Sequence, residues 1–140
     1  MQEFFSFLID HWILTSAFLF VTMLLVMHEM RRKLLGFRDL SPQDAIRLIN
    51  KQDAIILDVR DESEYKAGHI VNARNFPVAL IDTKLNELAT EKERPVLIYC
   101  KSGQRSARAA SLLNKQGFTN VFKLAGGMMA WQSASLPVVK

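Results

Sequence analysis

The sequence is poor in cysteine: Cys100 is the only one in 140 residues. A single cysteine cannot form an intramolecular disulfide, so the fold does not depend on an oxidising compartment. There is no second cysteine to resolve an oxidised first one, which argues against a redox enzyme of the Cys-x-x-Cys type. No Cys/His cluster has the spacing of a zinc site, and we predict neither a metal nor another cofactor.

Clustered positive charge is also missing from most of the chain, although its formal net charge is +4. The basic residues 31–33 offset the acidic residues Glu3, Asp10 and Glu29, so the excess positive charge belongs to the part that follows. That part has no Lys/Arg tract with interleaved aromatic residues, which makes nucleic acid a poor candidate partner. Mild basicity instead suits small anionic substrates.

A long apolar run is present near the N-terminus, where residues 12–27 read WILTSAFLFVTMLLVM without a charge. A helix needs about 20 apolar residues to cross a bilayer, and the flanking residues extend this run to about 8–28. A cleaved signal peptide would carry its basic residues before the run, which is the reverse of the order here. A buried core helix of this kind would need a larger protein to cover it. We therefore predict a transmembrane helix, with Trp12 at one interface.

Basic residues follow the apolar run at 31–33 and Arg38, whereas the tail before it is acidic. The positive-inside rule then predicts a single-pass protein of the cell (inner) membrane, with its N-terminus outside and its globular part in the cytoplasm. We divide the chain into a tail, helix and basic flank at 1–33, a linker at 34–40 and one domain at 41–138. The length of the last part suffices for a single core.

Strand and helix patterns alternate within the predicted domain. Two continuous apolar runs, Ala54–Leu57 and Pro95–Tyr99, are typical of strands buried on both faces of a parallel sheet. We therefore predict an α/β fold with a central, largely parallel sheet flanked by helices. Further strands are predicted at 73–76 and 121–124, and helices from Ser41 to Ile49, at 62–66, 78–89, 106–116 and 128–131.

Cys100 stands where a buried strand ends and a helix is about to begin, within YCKSGQRSARAA. In such a loop, backbone N–H groups and the helix N-terminus surround the sulfur and favour its thiolate. The alternative, a structural cysteine, would be expected inside a strand or on the apolar face of a helix. We predict that Cys100 is the nucleophile and that the substrate-binding loop comprises Lys101, Ser102, Gly103, Gln104 and Arg105.

Several segments of the sequence resemble the single-domain rhodaneses, which are sulfurtransferases. They are ILDVRDESEYKAGHI at 56–70, NARNFP at 72–77, PVLIYCKSGQRSARAA at 95–110 and GFTNVFKLAGGMMAW at 117–131. The resemblance covers about residues 40–138 in the family's order and implies the rhodanese-like fold. It also implies that the Cys100 thiolate attacks a sulfane sulfur, becomes a persulfide and passes the sulfur on.

The implied partners are a small anionic sulfur donor, such as thiosulfate or a persulfide, and a thiol or cyanide acceptor. A protein sulfur donor or acceptor is compatible with the same loop. A related branch, the phosphatases and arsenate reductases, has its arginine six residues after the cysteine. Here Arg105 is at position five and Ser106 at six, so the shorter loop should hold a smaller group, such as a terminal sulfur. The other alternative is a non-enzymatic, membrane-tethered adaptor, which would need neither the cysteine nor the arginine.

Three charged residues follow the first buried strand and are candidates to support the loop. Asp58 either orients the cysteine loop or helps to hold Arg105; alternatively, it caps the next helix, and Arg60 belongs to a surface pair. In the resembling family this turn faces the cysteine loop, and an acid often stands at the position of Glu64. We therefore expect Glu64 to pair with Arg105 and to brace the loop rather than to react.

Overall fold

A computed structural model describes Phe7 and residues 11–140, except for the side chains of residues 32 and 33. It divides the chain into two compact units, Met1–Leu35 and Gly36–Lys140. The acidic tail and the predicted start of the membrane helix at 8–10 lie outside the described residues.

The described part of the first unit consists mainly of one helix, α1, which spans Trp12–Leu35. Its segment Trp12–Arg31 has a mean hydropathy of 1.8 over an 18-residue window. By length and composition this segment can cross a membrane, a test that signal sequences near an N-terminus also pass.

The second unit is built on a five-stranded sheet in which every neighbouring pair of strands is parallel. In spatial order its strands are β1 (Phe37–Leu40), β6 (Val121–Leu124), β5 (Val96–Tyr99), β2 (Ile55–Asp58) and β4 (Arg74–Asn75). A separate antiparallel pair joins β3 (His69–Ile70) to β7 (Val138–Val139).

Helices cover both faces of this sheet. They are α2 (Pro42–Gln52), α3 (Glu62–Ala67), α4 (Ile81–Lys84, between 3-10 turns at Val78–Leu80 and Leu85–Leu88), α5 (Gln104–Lys115) and α6 (Gly127–Ser133). Along β2, Ile55 and Leu57 join one hydrophobic cluster and Ile56 joins the other, because successive side chains of a strand point to opposite faces. Each fully buried leucine or isoleucine contributes about 1.5–3 kcal/mol, so both clusters stabilise the sheet.

The two predicted buried strands correspond to β2 and β5, all of whose residues are buried. The start of α2 also agrees with its prediction: Pro42 is its first residue, and the Ser41 side chain accepts a hydrogen bond from the Asp44 backbone N–H at 3.2 Å. The predicted α/β architecture with a central parallel sheet is thus confirmed.

The prediction of a linker at 34–40 is wrong. Residues 34 and 35 continue α1, and β1 occupies the edge of the sheet, where Phe37 pairs with Val121 and Leu40 with Leu124. An edge strand leaves one side open to solvent, so it tolerates the charged pair Arg38-Asp39, and the stretch lacks the continuous apolar run of a buried strand. The predicted helix over 78–89 is also divided into short α and 3-10 pieces.

Candidate active site

Cys100 follows directly after β5, at the carboxyl end of a central strand. Its side chain is only 1% exposed and belongs to the hydrophobic cluster beneath α5. Burial alone would fit a structural cysteine. The polar groups around the sulfur, however, are ones that stabilise a thiolate.

The loop after β5 curls around the Cys100 sulfur. The backbone N–H of Gly103 donates a hydrogen bond to Sγ at 3.0 Å, and Ser106 Oγ lies 3.5 Å from Sγ. The Ser106 hydroxyl also donates to the Gly103 carbonyl at 3.0 Å, which ties the loop to the first turn of α5. Gly103 has a φ of +115°, in the region that favours glycine, and this conformation lets the loop turn tightly beside the sulfur.

These contacts shift the ionisation of the cysteine. Burial by itself raises the pKa of Cys100, but the Ser106 side chain and the backbone of Ser106, Gly103 and Ser102 stabilise the thiolate. The hydrogen bonds outweigh burial, so the pKa of Cys100 lies below its usual range. A thiolate is the nucleophilic form of cysteine, so the loop favours the reactive state.

The other predicted loop residues differ in how far their side chains are exposed to solvent. Lys101, Ser102 and Gln104 are exposed, whereas Gly103 is buried against the sulfur. The groups that surround Sγ are therefore main-chain amides and the Ser106 hydroxyl, while the Lys101 side chain faces outward from the loop. The sequence alone does not single out Ser106 as a sulfur partner; the available signal is that it follows Arg105 directly and is the first hydroxyl residue of α5.

Arg105 pairs with Glu64, as expected from the sequence. Its Nη1 lies 2.7 Å from Glu64 Oε2 and its Nη2 lies 3.0 Å from Oε1, so the guanidinium is held by two parallel hydrogen bonds. Asp61 Oδ2 is also 3.9 Å from Nη1. The side-chain hydrogen bond to Arg105 is the main cause that lowers the pKa of Glu64, so this carboxylate stays ionised beside the loop.

Asp58 does not hold Arg105, and it does not cap the next helix; its partner is Arg60. It is fully buried and accepts hydrogen bonds from Arg60, at 2.9 Å from the backbone N–H, 3.0 Å from Nε and 2.6 Å from Nη2. Arg60 is only 6% exposed and also donates to the Gly68 carbonyl at 2.7 Å, so it is not a surface residue. Asp61, rather than Asp58, caps α3. A buried arginine needs a charged partner, and Asp58 lies two residues away.

The buried pair stands directly beside the cysteine loop. The Val59 N–H, between Asp58 and Arg60, donates to the Tyr99 carbonyl at 3.0 Å, one residue before Cys100. The Arg60 guanidinium also lies 5.6 Å from the centre of the Tyr99 ring. The carboxyl ends of β2 and β5 therefore meet at one edge of the sheet, where ligands of parallel α/β sheets bind.

Comparison with known proteins places these features in a family. The model of the family described as "Rhodanese-like domain" matches residues 41–134. The chain is 30% identical to the uncharacterized protein YibN of Escherichia coli over 141 residues, which cover 100% of this chain and 99% of that protein. It is 36% identical to thiosulfate sulfurtransferase GlpE of Pseudoalteromonas translucida over 102 residues, 71% of this chain and 93% of that protein.

A solved structure agrees with this assignment. The solution structure of the polysulfide-sulfur transferase homodimer from Wolinella succinogenes is 28% identical, with a TM-score of 0.64. The similarity covers 81% of this chain and 88% of that one.

Proposed function

Because the chain belongs to the rhodanese-like domain family, we propose that it is a sulfurtransferase whose Cys100 carries the transferred sulfur as a persulfide. The observation that supports this most directly is the Sγ atom held by the Gly103 amide and beside the Ser106 hydroxyl. Relatives named sulfurtransferases add support, since they match over most of the folded unit.

With thiosulfate as the donor, the Cys100 thiolate attacks the outer, sulfane sulfur. A new S–S bond forms to Sγ, the S–S bond of thiosulfate breaks, and its electron pair leaves with sulfite. The enzyme is then a persulfide anion. A thiophilic acceptor such as cyanide attacks the outer sulfur, forms thiocyanate and releases the Cys100 thiolate. No proton has to be removed from the nucleophile, because its activation lies in the lowered pKa.

The loop provides the charge that an anionic donor requires. Main-chain amides point at the sulfur, and we propose that they hold the outer sulfur of the persulfide anion as well. Lys101 lies exposed at the loop and Arg105 is half-exposed beside it, so both are in place to attract the donor. Glu64, Asp58 and Arg60 act in this proposal as supports of the loop and of the neighbouring turn.

The test uses the full chain purified in detergent micelles. We expect thiosulfate to add the mass of one sulfur atom to the intact protein, and cyanide to remove it with release of thiocyanate. Cys100→Ser, which keeps the shape of the side chain, is the matched control and should do neither. Absence of both the added sulfur and thiocyanate from the wild-type chain would refute the proposal.

We further propose that α1 anchors the protein in the cell (inner) membrane as a single span. The three hydroxyl side chains of the uncharged run 12–27 have internal partners, as a hydrocarbon environment demands. Hydroxyls donate to the carbonyls of the preceding turn: Thr15 to His11 at 3.2 Å, Ser16 to Ile13 at 2.9 Å and Thr22 to Phe18 at 2.8 Å. The basic residues after the segment favour a cytoplasmic position of the folded unit.

Two measurements test the anchor. The chain should stay in the membrane pellet after an alkaline carbonate wash, with an intact mass that still includes α1; a mass without α1 would indicate a cleaved signal. For topology, Ser133→Cys in a Cys100→Ser background puts a single thiol at an exposed position of the folded unit. A membrane-impermeant maleimide should label it only after bacterial spheroplasts are permeabilised. Labelling of intact spheroplasts would place this unit outside.

A further inference from the structure

The first turn of α6 touches the cysteine loop from the side opposite the sulfur. The backbone N–H of Met128 donates to the Cys100 carbonyl at 2.8 Å, and that of Met129 donates to the Lys101 carbonyl at 3.1 Å. The first two carbonyls of the loop are therefore held by an element that contributes no side chain to the sulfur's hydrogen bonds.

This approach is possible only because position 127 has no β carbon. A β carbon on Gly127 would lie 2.4 Å from the Cys100 carbonyl oxygen and 2.7 Å from the Lys101 carbonyl oxygen. Both distances are shorter than real β-carbon contacts, and the atoms concerned are backbone, which cannot rotate away. Gly127 also has a φ of +57°, which favours glycine.

Holding these carbonyls determines where the following amides point. A peptide unit is planar and trans, so its C=O and N–H point in opposite directions. The Lys101 carbonyl faces the Met129 N–H, and the Ser102 N–H in the same peptide unit therefore faces away from α6. The Ser102 backbone is one of the groups that stabilise the Cys100 thiolate, in agreement with this direction.

We propose that Gly127 is a positioning residue for Cys100: its missing β carbon lets α6 hold the two loop carbonyls and thereby turn the Ser102 amide toward the sulfur. The inference rests on the proposed function of Cys100, since it concerns how the same thiolate is maintained. In this arrangement the residues that shape the sulfur site extend beyond the cysteine loop to the Gly126-Gly127 turn.

The test is the pH dependence of Cys100 alkylation by iodoacetamide in the full chain. Because Cys100 is the only cysteine, the label reports on this site alone. Gly127→Ala should push α6 off the loop, weaken the Ser102 amide contact and raise the midpoint of the alkylation profile by about one pH unit, roughly the loss of one hydrogen bond to a charged atom.

Gly117→Ala is the matched control. Gly117 has a φ of +93°, so alanine is strained there too, but its β carbon would come no closer than 3.8 Å to the Lys92 side chain. The control should leave the alkylation midpoint unchanged, although it lowers the melting temperature. If the two variants have the same midpoint while both remain folded by circular dichroism, Gly127 acts on stability alone and the proposal is overturned.

If Gly127→Ala does not fold, amide hydrogen exchange of the wild-type chain tests the proposal instead. The Met128 and Met129 amides should exchange as slowly as those of β5; exchange at the rate of unbonded amides would overturn the proposal. A wild-type alkylation midpoint near that of a free thiol would instead refute the proposed function. The two failures are therefore distinguishable.

Discussion

Ser106→Ala removes the side-chain hydroxyl that lies 3.5 Å from Cys100 Sγ. Among the groups that lower the pKa of Cys100, this hydroxyl has the largest effect, so its loss should raise that pKa. A hydrogen bond to a charged group contributes about 1.5–3 kcal/mol, and one pKa unit corresponds to about 1.4 kcal/mol. Since the Gly103 carbonyl competes for the same hydroxyl proton, we expect the lower end, a rise of about one unit.

The direction of the pH effect follows from the lowered pKa. As the pH falls, the wild-type chain keeps its thiolate until the pH passes the pKa of the folded protein, whereas Ser106→Ala protonates at higher pH. Alkylation of the variant should therefore be about tenfold slower below the wild-type midpoint, and nearly equal to wild type well above both midpoints. For the same reason, the stability that the thiolate contributes is present above the unfolded-state pKa and is lost as the pH falls through the folded-state value.

Iodoacetamide labelling at a series of pH values, followed by intact mass, measures the midpoint. Ser111→Ala is the matched control, because Ser111 is a half-buried serine of the same helix, α5, and is not among the groups that shift the pKa of Cys100. It should leave the midpoint unchanged. Equal midpoints for Ser106→Ala and wild type would show that the hydroxyl does not stabilise the thiolate and would refute the reasoning.

The same substitution has a second consequence when Cys100 is protonated. The single proton of the Ser106 hydroxyl is then donated to the Gly103 carbonyl at 3.0 Å, and loss of this hydrogen bond should lower the free energy of unfolding by about 1 kcal/mol. Urea unfolding in micelles measures this change through the fluorescence of Trp131, which is 3% exposed, in a Trp12→Phe background.

Three further predictions use the same assays. Asp58→Asn leaves the buried Arg60 without its anionic partner and should lower the free energy of unfolding by about 3–5 kcal/mol. The double variant with Arg60→Met should recover most of this loss. A loss under about 1 kcal/mol for the single variant would contradict the buried pair. Glu64→Gln frees the partly exposed Arg105, so stability should fall by less than about 1 kcal/mol while the KM for thiosulfate rises; an unchanged KM would mean that the pair does not position the arginine. Ser41→Ala removes the cap of α2 and should cost about 1 kcal/mol, with no change in alkylation of the cysteine as the check that the effect is local.

Much of the site could be predicted because its chemistry is local in sequence. The buried strand β5, the cysteine at its end and the helix that follows lie within YCKSGQRSARAA, and their order alone surrounds the sulfur with amides. Likewise, a continuous apolar run is enough to predict a strand buried on both faces, as β2 and β5 show. The pair of Glu64 and Arg105 was expected from the resemblance rather than from spacing, and the structure contains it.

Other features were decided only by contacts between residues far apart in the chain. Because β1 contains the charged residues Arg38 and Asp39, its sequence lacks the apolar run of a buried strand. Its pairing with the distant β6 makes it a strand. The Asp58 carboxylate faces Arg60 rather than Arg105 because the turn after β2 folds inward, where an arginine must be paired. The absent β carbon of Gly127 matters only because α6 packs against the loop carbonyls. The local sequence thus determined the candidate nucleophile and its loop, whereas packing determined which distant groups pair with them, because a side chain's partners depend on how the elements pack together.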